Sequence, residues 1–284
     1  AQAAALGLTG SLAVVPGGHD TCLSHIPIIS AFQSAFPEKA GQPVIHVDAG
    51  TWTMVAQLGG AATLPPDGYL RDIIIQGTVD GAPVVTARYG GGADFAHLKK
   101  LAGAQGAGFD SACGLERLVQ VMETADCFAL PNTNPAFSGT GPFPKLQGRI
   151  LNEAAFFGNA ATAYCVTNLT TAMTTAHQID AISRDSSIPL IITAGGSKDP
   201  WFATLLAALT GRKAYVMYDR EGRALTETTS LGAALVGKAA CLQGHPHNMD
   251  TRELGVQCRE VPALSAAQTQ ALARYRAQWK KHCL

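Results

Sequence analysis

Charge is scarce in this chain, and none of it is left over. Charged residues make up 15% of the 284, and 21 Lys plus Arg balance 21 Asp plus Glu. A chain without a basic field cannot bind a phosphate backbone by releasing counterions, so nucleic acid is not an expected partner. Long apolar runs are missing too: no stretch approaches the ~18 uninterrupted apolar residues of a membrane span. The opening AQAAALGLTG lacks the basic segment of a signal peptide. No membrane partner is expected, and the expected location is cytoplasmic. The seven cysteines (Cys22, Cys113, Cys127, Cys165, Cys241, Cys258, Cys283) are odd in number and contain no CxxC pair, which argues against a disulfide framework or a thiolate zinc site and suits reduced thiols. His245, Pro246 and His247 are too close-set and isolated to hold a metal, so no metal ligands are assigned.

What is present is apolar surface (47% of residues) and 30 glycines, the composition of a compact α/β enzyme domain rather than a disordered chain or coiled coil. Leu12 to Val15 reads as a buried strand closed by Pro16, Gly17 and Gly18. Helical spacing follows from Cys22 to Phe36, where Pro27 predicts a late start or a kink. Val44 to Val47 and Trp52 to Gln57 form a hairpin around Asp48 to Thr51, and Ile73 to Ile75 and Val84 to Thr86 are further strands. Residues 93–148 read as an irregular insertion holding a helix near Glu116 to Glu123 and the ordered excursion PNTNPAFSGTGPFP. Asn152 to Ile182 reads as one buried helix, and Ile188 to Thr193 as a central strand. Asp199 and Pro200 then start a helix that Gly211 stops. A strand at Ala214 to Met217, a small-residue helix at Ser230 to Ala240, packed closely on the sheet, and an amphipathic helix at Ser265 to Lys281 complete the chain. The chain starts at Ala1 and runs almost at once into SLAVVPGGHDT, which gives the expectation of a piece of something longer.

Three glycine-bearing loops lie at the ends of predicted strands: GGHDT (17–21), DAGTW (48–52) and AGGSKDPW (194–201). Ligands of open α/β sheets collect at the carboxyl ends of strands, where bare backbone N–H groups face an anion. Asp20 stands either at a cleft edge, able to accept the proton of an attacking alcohol, or as a cap of the following helix. His19 beside it has no partner visible in sequence. Gly50 and the Thr51 hydroxyl offer donors to a phosphate, or simply make a hairpin turn. Gly195 and Gly196 leave a floor without side chains for a nucleotide, or serve a tight strand-to-helix connection.

In order, VVPGGHDT, VIHVDAGTWTMV, IITAGGSKDPWFATLLAALTGRKAYV and TSLGAALVGKAA resemble the carboxy-terminal half of the FGGY carbohydrate kinases, with the HDT nearest in style to rhamnulose and fuculose kinases. The resemblance runs from about residue 5 to the end. It implies a single domain over 1–284 with the actin-like, ribonuclease H-like ATPase fold, a mixed sheet flanked by helices. It implies ATP with Mg²⁺, and Asp20 as catalytic base with His19 beside it at the sugar. It also implies Gly50 and Thr51 in the second phosphate loop, and Gly195, Gly196 and Ser197 in the adenosine loop. The expected partners are a sugar or polyol and the family's amino-terminal domain or a homo-oligomer. No Asn-Glu-Gly-Gly stretch of the kind seen in some relatives occurs near QGTVDGAPVV, so their substrate is not carried over. The alternative expectation is a non-catalytic nucleotide-binding or interaction module, a remnant or a subunit needing a separate amino-terminal domain.

Overall fold

The computed structural model describes residues 17–242, 244 and 255–283; the predicted Leu12–Val15 strand and the His245–His247 segment lie outside them. Helix α1 (Asp20–Ala35) is followed by the antiparallel hairpin of β1 (Val44–Ala49) and β2 (Thr53–Leu58), then by β3 (Ile73–Gly77) and β4 (Pro83–Tyr89). The remaining strands of this sheet are β7 (Leu190–Ala194), β8 (Ala214–Tyr218) and β9 (Gln257–Glu260); β5 (Phe128–Ala129) and β6 (Ile150–Leu151) pair separately. The sheet order is β3-β4-β2-β1-β7-β8-β9, with β1, β7 and β8 parallel and the outer strands antiparallel. Strand β1 is therefore central, and its register with β7 sets Asp48 beside Thr193 and Ala49 beside Ala194. Two of the three glycine loops thus leave the sheet side by side.

One face of the sheet carries the main core. Helices α2 (Gly91–Ala104), α3 (Leu115–Thr124), α4 (Glu153–Gly158) and α5 (Ala160–Ile182) cover it, with α6 (Gly195–Lys198), α7 (Phe202–Thr210) and the carboxy-terminal α9 (Ala266–Cys283). The threonines of α5 are tolerated in a buried helix because their hydroxyls bond back to the preceding turn: Thr167 to the Ala163 carbonyl at 2.7 Å, Thr174 to Thr170 at 2.8 Å, Thr175 to Thr171 at 2.8 Å. The expected single helix from Asn152 is two, because Asn159 takes an extended conformation and caps α5 through Thr162 N–H at 2.9 Å.

The opposite face is covered by α1, on which helix α8 (Thr228–Leu242) packs. The small residues of α8 serve this helix-to-helix approach rather than the expected packing on the sheet: a Cβ at Gly232 would overlap the Leu23 carbonyl. Helix α1 does not start late. Pro27 sits inside it, buried, while the helix begins at Asp20.

Residues 93–148 are less irregular than expected, since they hold most of α2 and all of α3. The excursion after them is ordered by Asp94, whose carboxylate accepts from Asn132 N–H at 2.7 Å and Asn134 N–H at 2.8 Å. Among the described residues, no helix is long and apolar enough to cross a membrane.

Candidate functional site

Asp20 opens α1 at the end of the sheet where β1 terminates. Its Oδ1 accepts from the Thr21 N–H at 2.7 Å and lies 2.8 Å from His19 Nδ1. His19 is the N-cap; when neutral its Nδ1 can accept from Thr21 N–H at 3.3 Å, and when protonated it can donate to Asp20. The carboxylate remains three-quarters exposed, so local capping leaves it free to meet a ligand.

The β1–β2 turn presents Gly50 and Thr51, and the amino end of α2 is laid directly on it. Ala93 N–H donates to the Thr51 carbonyl at 3.1 Å. A Cβ at Gly92 would overlap the Gly50 carbonyl, which is why glycine stands there. Three glycines in a row between a strand and a helix, Gly90 to Gly92, are the sequence signal that could have marked the close approach.

Strand β7 ends at Ala194, which adopts φ 57° and ψ −142°, a conformation rare for a residue with a Cβ. Gly195 follows, with its missing Cβ 3.1 Å from the Ala49 carbonyl. Gly196 borders the site and also serves the tight connection: a Cβ there would come within 2.6 Å of the Ala49 Cβ and 2.7 Å of the Phe202 ring, so the glycine lets α6 pack between β1 and α7. Ser197 is the next residue. It is buried, its hydroxyl donates to the Ala194 carbonyl at 2.7 Å, and it does not line the cavity that Gly50 and Gly195 share.

That cavity is about 540 Å³ and is bounded by Ala49, Gly50 and Thr51 on one side and by Gly195, Gly196 and Asp199 on the other. Its wall contains a run of aromatic rings, Phe95 edge-on to Phe109 and Phe109 edge-on to Tyr164, each pair at 5.5 Å. Lys99 and Lys198 supply positive charge at its lining, with the Lys99 ammonium 5.8 Å from the Phe109 ring. Asp199, expected as a helix cap, does cap: its Oδ1 accepts from Trp201 and Phe202 N–H at 2.9 and 3.0 Å. Its Oδ2 accepts from Tyr164 and Asn168 of α5 at 2.7 and 2.9 Å, an attachment no sequence pattern announced.

The electrostatics are concentrated on the α1 side of the turn. Burial, then the negative charge of Asp20, pushes the Asp48 carboxyl up to about 6. Two residues earlier, His46 is held well below its usual range by burial and then by His25, and its Nε2 is 2.8 Å from Thr193 Oγ1.

The carbohydrate kinase FGGY carboxy-terminal domain family matches residues 41–246, nearly three-quarters of the chain. The chain belongs to the FGGY carbohydrate kinases. The sheet and its flanking helices are the actin-like ATPase fold. A carbohydrate kinase from Novosphingobium aromaticivorans superposes with a TM-score of 0.68 at 20% identity, over 99% of this chain and 55% of its own. A xylulose kinase from Lactobacillus acidophilus gives 0.66 at 11%, over 98% and 53%. Plasmodium falciparum glycerol kinase with ADP gives 0.56 at 14%, over 89% and 50%. This FGGY chain therefore spans about half the length of those kinases. No curated protein matches it.

Proposed function

We propose that this FGGY domain is the nucleotide-binding and base-bearing half of an ATP-dependent carbohydrate kinase acting on a sugar or polyol hydroxyl, with residues 1–284 forming one domain. The observation that carries the reading is the shared cavity: Gly50 and Thr51 come from one strand end, Gly195 and Gly196 from its parallel neighbour, and the carboxylate of Asp20 stands beside the same end of the sheet.

The turn donors suit phosphate, and the aromatic wall and bare Gly195 backbone suit a nucleoside. Asp20 takes the proton of the attacking hydroxyl as its oxygen bonds to the γ-phosphorus and the bond to the leaving ADP oxygen breaks. His19, beside Asp20, faces the same substrate. MgATP supplies the phosphoryl group and neutralises charge on its oxygens. Mg²⁺ would enter with the phosphates of the nucleotide; among the described residues no group of three or more His, Cys, Asp or Glu is placed to hold a metal ion. The sugar is expected to meet the family's amino-terminal domain, supplied by the rest of a longer chain or by a partner.

Titrating the chain with MgADP tests the nucleotide half. Saturable binding, weakened at least about tenfold by Ser111→Trp, which fills the cavity from its exposed rim, supports it; no binding overturns it. In an assembled two-domain enzyme, Asp20→Asn should lower kcat by roughly 10²–10⁴-fold with ADP affinity retained. A domain that binds ADP while no assembled form transfers phosphate would favour the second reading, a non-catalytic nucleotide module, to which the half-length match also lends support.

A further inference from the structure

Asp48 is out of character for its position. A turn that receives phosphate should carry donors and positive charge, yet two residues before Gly50 stands a carboxyl, with Oδ1 3.6 Å from where a Gly50 Cβ would lie. It is largely buried beneath the turn, and among the described residues no side chain or backbone group donates to it and no cation pairs with it. Its surroundings offer no relief. Helix α1 brings Asp20, of the same sign, and His25 below it; β1 brings His46, kept neutral by burial. From β2 comes Met54 and from β7 Thr193, neither charged. The one cation in the row, Arg88 of β4, lies against Asp72 and over the Trp52 ring.

An ionised carboxylate in that position opposes a polyanion on Gly50 and Thr51, whereas a carboxylic acid does not and has an O–H to donate. We infer that Asp48 takes up a proton when the turn receives a nucleotide phosphate, so that nucleotide binding by this domain is proton-coupled through this one side chain. The inference rests on the nucleotide reading of the cavity. Burial and Asp20 already bring Asp48 to about 6, and a phosphate pushes it the same way, toward neutrality. The proton moves from solvent to a carboxylate oxygen, and no other bond changes.

Calorimetric titration of the chain near neutral pH with ADP free of Mg²⁺, whose charge would offset the phosphates, in two buffers of different protonation heat, counts the protons. The expected result is uptake of roughly half a proton or more per ADP, and an affinity that falls as pH rises, by at most about tenfold per pH unit. In Asp48→Asn the uptake should drop to whatever the nucleotide itself contributes, and ADP should bind more tightly than in the parent protein above neutral pH. Asp48→Ser should behave as Asp48→Asn does, with circular dichroism verifying that both fold. Binding without uptake, or uptake that survives both substitutions, overturns the proposal and leaves the nucleotide reading standing. No ADP binding by the parent protein at any pH removes the reading, and the proposal with it.

Discussion

The Tyr164 hydroxyl donates to Asp199 Oδ2 at 2.7 Å, tying the amino-terminal part of the buried helix α5 to the loop between α6 and α7. Asn168, one turn on, holds the same oxygen, and Oδ1 caps α7. All four bonds keep the carboxylate in place while it accepts them, so the end of α6, the short helix that Gly195 opens, is positioned by α5. Asp199→Ala should cost about 2–4 kcal/mol, since it removes a cap and leaves buried donors unpaired. Tyr164→Phe should cost only about 1 kcal/mol, because Asn168 still holds the carboxylate. Urea denaturation of both variants measures the difference; equal costs would deny Asp199 its role as the junction.

Gly92 and Gly103 both lie in α2 and predict opposite outcomes. A Cβ at Gly92 meets the Gly50 carbonyl, whereas one at Gly103 meets nothing within 4 Å. Gly103→Ala should stabilise by roughly 0.5–1 kcal/mol from helix propensity alone. Gly92→Ala should destabilise by about 1–3 kcal/mol, displace the turn and weaken MgADP binding. Thermal unfolding with and without nucleotide reads both effects.

Gly232→Ala tests the contact between α1 and α8. Overlap with the Leu23 carbonyl forces the helices apart, at about 1–3 kcal/mol. Because α1 begins with Asp20, the assembled kinase should also lose kcat although residue 232 is remote from the cavity. Gly237→Ala on the same helix, with open space around its Cβ position, should leave kcat unchanged and stabilise by roughly 0.5–1 kcal/mol.

Asp48 gives stability a pH dependence of definite sign. Its folded value of about 6 lies above the ordinary aspartate value of 3.8, so the folded state binds the extra proton, and stability falls as pH rises from about 4 to about 6. The cost, of order 2–3 kcal/mol, is then fully present above that window. His46 acts the other way: a histidine held below its usual range binds protons more readily when unfolded, so its contribution is lost as pH falls below about 6.5. Asp48→Asn should therefore be more stable than the parent chain near pH 7.5 and nearly equal to it near pH 3.5. Guanidinium denaturation at the two pH values decides this, and an unchanged gap would remove Asp48 as its source.

Local chemistry was enough to give the hairpin around Gly50 and the strands expected over Val44 to Val47 and Ile188 to Thr193, which the fold extends to Ala49 and Ala194, because alternation, glycine turns and caps act over a few residues. The amino-terminal start of α1 was less legible, since Pro27 argues against a helix that buried contacts nevertheless complete. The break at Asn159 did have a local signal, Gly158 followed by a capping Asn, set in a stretch whose apolar pattern continues on both sides. The sequence alone determined that Gly50 and Gly195 sit at strand ends. Only the tertiary structure decided that those ends are neighbours, because the β1–β7 pairing joins residues nearly 150 positions apart. It also decided that Gly196 serves packing against Phe202, that Tyr164 and Asn168 hold Asp199, and that Asp48 is half-buried near Asp20. Each of these depends on what the folded chain brings within a few ångströms, and contacts across such separations leave no periodicity to read.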